Sequence, residues 1–193
     1  IQYHDVPVAT ITFYVHSLIS ESVNKKGYRV SFSGTSADEL FTGYYDHFIL
    51  HLNEMRNRED YGNYLENWRE YIGKFVRNPA LKNPDLYHDT PNFRDHIFDG
   101  SEELKDYLKE PFEESFTEEQ YTGCLLRNRM MNELFQETTP VILHEDDLNS
   151  MQYSIENRSP YLDINLFNFA YSIPNEYLIQ DAYGKYVLRE AMK

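Results

Sequence analysis

Residues 28–47, YRVSFSGTSADELFTGYYDH, decide how this chain reads. Tyr28 to Phe32 is a short β-branched and aromatic run stopped by Ser33-Gly34, which predicts a strand over about 28–33. From about Ala37 towards Met55, Leu40, Phe41, Tyr44, Phe48 and Leu52 fall on one side of a helix. Working upstream, Ile11, Val15, Leu18, Ile19 and Val23 keep helical spacing through residues 8–26, and Gly27 stands where a helix end favours a left-handed residue. Helix, strand, tight turn, helix is half of a doubly wound α/β unit. The turn between strand and second helix is made of small residues, so its N–H groups can point at an anion. Asp38 cannot grip a phosphate directly, but a carboxylate there can hold Mg²⁺ that bridges to phosphate oxygens. Open α/β sheets place ligands at this carboxyl end of a strand. The simpler reading, that Asp38 and Glu39 only favour the helix dipole, stands beside it.

Downstream the pattern is helical. Residues 60–76 carry Tyr61, Tyr64, Leu65, Trp68, Tyr71, Ile72 and Phe75 at amphipathic spacing. Residues 78–100, with Pro79, Pro84 and Pro91, read as irregular. Ser101 reads as a helix start, and residues 101–120 hold eight acids against Lys105 and Lys109, a solvated face. Thr117 caps a predicted helix over about 118–136, Pro140 opens another reaching Tyr153, and 163–171 and 183–192 read as the last two. The expected architecture is therefore an α/β fold represented by a mostly α chain, with one clear strand among seven or eight helices. One strand cannot satisfy its own backbone groups, so its partners are expected in a segment outside these residues.

Composition removes several functions. The 193 residues carry 18 basic and 32 acidic side chains, a net charge of −14, which repels a phosphate backbone and argues against a nucleic-acid partner. One cysteine cannot form an internal disulfide, no run of ~18 apolar residues suggests a membrane span, and no signal segment is seen, which together point to the cytoplasm. His47 and His51, four apart with Glu54 nearby, form a possible metal face, although no metalloprotease pattern accompanies them. Glu145, Asp146 and Asp147 read as a solvated turn, and Cys124 as a small buried residue within a helix.

Three blocks in order resemble the asparagine synthetase family: SGTSADELFTGY from Ser33, SMQYSIENRSPYLD at 150–163, and GKYVLREA at 184–191. The resemblance covers nearly the whole of residues 1–193 and implies the C-terminal portion of a synthetase domain of ATP-pyrophosphatase type. It implies ATP and Mg²⁺, adenylation of a small-molecule carboxylate, and attack by ammonia that a separate domain releases from glutamine. Carried onto this sequence, Ser33, Gly34 and Thr35 lie against ATP, Asp38 binds Mg²⁺, and Lys185 is the catalytic lysine. Glu39, Glu156 and Arg158 fall in the possible substrate pocket. The family's pyrophosphate loop and glutaminase domain are not found in these residues, so the missing N-terminal half is an expected partner and the piece alone is expected to be inactive. Asparagine synthetases carry Glu where Thr35 stands and Gly where Ser36 stands. An acceptor other than aspartate, such as a sugar or peptide carboxylate in surface-polysaccharide or secondary metabolism, therefore remains open. So does a non-catalytic helical interaction module.

Overall fold

The structure is a computed structural model that describes residues 3–5, 8, 10–98, 105–110 and 117–193. The chain forms two compact units, Ile1–Leu40 with Glu133–Ser172, and Phe41–Asn132 with Ile173–Lys193. Among the described residues, seven α-helices are six residues or longer, and the only sheet has two strands, so the mostly helical reading holds. No helix among the described residues is long and apolar enough to cross a membrane.

In the first unit, α1 (Ile11–Lys25) packs on the helix Thr138–Met151. Asn149 seals this contact by donating Nδ2–H to Phe13 O at 3.0 Å, and Asn24 donates to Tyr153 O at 2.8 Å. The apolar stripe that identified α1 lies largely on its exposed side, with Ile11, Val15, Leu18 and Ile19 accessible, while Phe13 is the buried residue.

Gly27 takes φ +83° just past α1, as its position predicts. Strand β1 (Val30–Phe32) then pairs in parallel with β2 (Glu156–Arg158), in the register Val30 with Glu156, Ser31 with Asn157 and Phe32 with Arg158. The strand partner thus lies within this chain, which corrects the expectation of an external one for this edge. A Glu-Asn-Arg strand has no β-branched or aromatic residue and leaves no pattern to read.

The helix expected from Ala37 to Met55 is two helices, α2 (Ala37–Phe41) and α3 (Tyr45–Met55). Thr42 between them takes φ +71°, and the Phe41 carbonyl accepts the Lys185 N–H at 3.0 Å. α3 is the centre of the second unit, burying Phe48, Ile49, Leu50 and Leu52. It packs on α4 (Tyr61–Tyr71), on α5 (Leu86–Asp89) and on the 3-10 turns Ala80–Lys82 and Asn175–Tyr177.

The predicted helix at Ser101 falls outside the described residues, apart from 105–110. The helix expected over 118–136 begins later, as α6 (Leu125–Phe135). Two asparagines on α6 explain the delay. Asn128 Oδ1 accepts the Tyr121 N–H at 2.8 Å, and Asn132 both accepts from Glu119 N–H and donates to Glu119 O, holding 119–122 as a strap along the helix. The remaining helices are α7 (Thr138–Met151), with Pro140 in its first turn, α8 (Ile164–Ser172) and α9 (Tyr186–Ala191).

Candidate active site

The parallel pairing of β1 with β2 joins the first two sequence blocks. Ser33 extends the ladder by donating its N–H to Arg158 O at 2.9 Å. Its hydroxyl lies 3.0 Å from Ser159 Oγ and 3.1 Å from Thr35 Oγ1. Residues more than a hundred positions apart therefore build one turn at the carboxyl end of both strands, where the fold class places ligands.

The turn is shaped for close approach. Gly34 is exposed, and a Cβ built on it meets nothing within 4 Å. Ser36 is buried at φ +76° and is held there by its hydroxyl, 3.2 Å from Thr139 Oγ1. Glycine takes that conformation freely, in keeping with the glycine that the resemblance places at this position. Among the described residues, the N–H groups of Gly34, Thr35 and Ser36 have no backbone acceptor. Three successive donors beside an open face suit phosphate oxygens. α2 has only five residues, so the turn, rather than a helix dipole, supplies this character.

Asp38 is half-buried in the first turn of α2, whereas Glu39 is buried at 3% exposure. On β2, Glu156 and Arg158 are exposed and paired with each other, with Arg158 Nε donating to Glu156 Oε1 at 2.8 Å. Asp38 is a hard oxygen ligand of the type Mg²⁺ prefers. The donor set of the turn therefore fits a magnesium–triphosphate group.

Lys185 belongs to the second unit. It precedes α9 with φ 55° and ψ 33°, a left-handed conformation that is unfavourable for a residue with a side chain. Such backbone persists only where its surroundings fix it, and it concentrates at functional positions. The fixing contact here is the 3.0 Å hydrogen bond from Lys185 N–H to Phe41 O.

The other sequence candidates have structural partners. His47 Nδ1 accepts the Gly43 N–H at 3.3 Å, and His51 Nε2–H donates to Asn175 O at 3.0 Å. Both rings are buried. Burial pulls His51 down to about 4, against the raising effect of the Asn175 carbonyl, so its ring is neutral at physiological pH. Cys124 lies just before α6 rather than within it, and burial pushes its thiol up, which suits an inert group. The 145–147 cluster is helical, not a solvated turn: Glu145 is buried with His4 at 3.6 Å, and Asp146 lies 2.9 Å from His16.

Sequence reasoning missed a buried polar cluster of the second unit. Arg94 binds both oxygens of Glu118 at 2.6 Å, and Arg129 bridges Glu118 (3.1 Å) and Asp46 (3.4 Å). His96 Nε2 adds a 3.2 Å contact to Asp46. Burial pushes the Asp46 carboxyl up, but the His96 hydrogen bond and the His47 and Arg129 charges outweigh it and hold the group well below the usual carboxylate range. Arg94 and Arg129 lie in regions read as irregular or as anonymous helix, so spacing gave no signal. Every charge in the cluster has an opposite partner within it, which marks it as structural.

The asparagine synthase family model matches residues 1–193, while no curated protein and no solved structure matches the chain. A match of that length takes in the turn at Ser33, the β2 block that pairs beside it and the left-handed Lys185, so the chain belongs to the asparagine synthase family, a family of ATP-dependent amide-forming ligases.

Proposed function

We propose that this chain carries the carboxylate-activating site of an amide-forming ligase that uses ATP and Mg²⁺, with ammonia drawn from glutamine as the nitrogen source. The observation that carries the reading is the turn Ser33–Ser36 at the shared carboxyl end of β1 and β2, where the N–H groups of Gly34, Thr35 and Ser36 have no backbone acceptor among the described residues and Gly34 has open space on its Cβ side. Bound ATP supplies the adenylyl group, which passes to the substrate carboxylate as pyrophosphate leaves. The chain's own residues do the rest. Ser33, Gly34 and Thr35 orient phosphate oxygens through N–H and hydroxyl donors. Asp38 holds Mg²⁺. The Lys185 ammonium, a compact point charge, answers the negative charge that grows on the leaving pyrophosphate.

The acceptor pocket is assigned to Arg158, Glu156 and Glu39. An arginine fork matches a carboxylate, and Arg158 is already oriented by Glu156. Thr35 supplies a neutral hydroxyl where the resemblance has a glutamate, so a sugar or peptide carboxylate competes with aspartate as the acceptor. The test uses the intact protein with Mg·ATP, ammonium and either L-aspartate or a uronic acid. AMP formation is expected with one of the two acceptors, and Asp38→Asn and Lys185→Ala are each expected to cut it by roughly a hundred-fold or more, as for loss of one preorganised charge-stabilising group. Unchanged rates in both variants sink the assignment.

A further inference from the structure

We propose that Ser159 is a positioning residue for the turn Ser33–Ser36: its hydroxyl, acting through Ser33, leaves the Thr35 O–H free to donate to a phosphate oxygen. The proposal rests on the reading of the turn given above. Parallel strands of an α/β fold ordinarily carry apolar side chains on both faces. Here Ser31, Ser33, Asn157 and Ser159 share one face of the strand pair, and all four are half-buried. Ser31 donates to Asn157 Oδ1 at 3.0 Å, and one step further the register sets Ser33 beside Ser159, also at 3.0 Å. Cross-strand hydroxyl pairs support a ladder, so strand pairing alone would account for them if the chain of bonds ended there.

It continues to Thr35. A hydroxyl carries one proton and accepts through two lone pairs. The Ser33 proton goes to Thr35 Oγ1, at 3.1 Å. The bond between Ser33 and Ser159 is therefore donated by Ser159. Proton direction is fixed along the relay, from Ser159 to Ser33 to Thr35, and each link strengthens the next. Thr35 accepts, so its own proton is uncommitted, and among the described residues no group takes it. The backbone holds both ends of the first link. Ser33 N–H donates to Arg158 O at 2.9 Å, and Pro160 keeps Ser159 out of the helical region, at φ −116° and ψ 86°. The free donor stands in the turn where the N–H groups of Gly34, Thr35 and Ser36 lack backbone acceptors among the described residues. The resemblance places glutamate at 35, a group that only accepts when ionised. The relay makes this position a fourth donor instead, suited to direct contact with an anionic oxygen.

The experiment compares wild type, Ser159→Ala, Ser159→Thr, Thr35→Val and the Ser159→Ala/Thr35→Val double variant in the intact protein. Two readouts are taken: affinity for magnesium pyrophosphate by calorimetry, and the urea midpoint. Thr35→Val is expected to weaken binding by roughly ten- to a hundred-fold, the effect of losing one hydrogen bond to a charged group. Ser159→Ala should weaken it by roughly three- to ten-fold, and Ser159→Thr, which restores the hydroxyl, should bind as wild type does. Because Ser159 acts through Thr35, the double variant should bind no worse than Thr35→Val alone. A serine that only pairs the strands would lower the urea midpoint of Ser159→Ala and leave its affinity at the wild-type level. That result, or losses that add in the double variant, overturns the proposal. If Ser159→Ala does not fold, Ser33→Ala breaks the same relay and is judged by the same non-additivity with Thr35→Val. Absence of binding by wild type overturns the reading of the turn itself, and the proposal with it, whereas wild-type binding that Ser159→Ala leaves intact overturns the proposal alone.

Discussion

Replacing Arg129 with methionine removes the cation that two buried carboxylates share, and the structure sets the size of the effect. The Arg129 and Asp46 side chains are each 5% exposed, and Glu118 is 13% exposed. Removing one partner of a buried ion pair costs about 3–5 kcal/mol, because the remaining charge stays in a poorly solvating interior. Neither carboxylate is left bare, however. Asp46 keeps His96 at 3.2 Å and the His47 N–H at 3.0 Å, and Glu118 keeps both 2.6 Å bonds from Arg94. The loss should therefore fall at the lower end, about 3 kcal/mol. Trp68 is the chain's single tryptophan, is 5% exposed on α4 and lies in the same unit, so its fluorescence in urea reports this loss directly. With a urea slope of about 1–3 kcal/mol per molar, the midpoint should drop by roughly 1–3 M. A change below about 0.5 kcal/mol, the level of an ordinary surface substitution, would refute the claim that this cluster supports the second unit.

Two further predictions concern single buried groups. His51 is held down to about 4 from an ordinary 6.5, so the unfolded chain takes up a proton that the folded unit refuses. Stability from this site is complete above pH 6.5 and is lost as pH falls towards 4, by roughly 3 kcal/mol in total; His51→Gln should flatten that part of the urea-midpoint profile. In the first unit, Asn149→Ala leaves Phe13 O without its side-chain donor at a 2% exposed position, which should cost about 1–3 kcal/mol, read as faster amide exchange in α1.

The parts of the fold legible in the sequence were those whose signal is local. Gly27 marked the end of α1, Tyr28–Phe32 contained β1, and Pro140 placed the start of α7 within two residues. What was not legible depends on distant partners. β2 is a strand because Glu156–Arg158 lie against β1, not because of their own propensities. The break at Thr42 exists because Lys185 N–H, far along the chain, takes the Phe41 carbonyl. The delayed start of α6 follows from Asn128 and Asn132 turning back onto 119–122. The candidate site divides in the same way. The small residues of the Ser33 turn advertise their chemistry through spacing, whereas the pairing of Ser33 with Ser159 and the conformation of Lys185 emerge only in three dimensions.

The central claim is carboxylate activation by adenylation, and the products of ATP test it most directly. The intact protein, given Mg·ATP with either aspartate or a uronic acid, should release AMP and pyrophosphate in equal amounts, in an acceptor-dependent reaction that Asp38→Asn suppresses. Release of ADP and inorganic phosphate, or AMP formation indifferent to both the acceptor and Asp38, would contradict it.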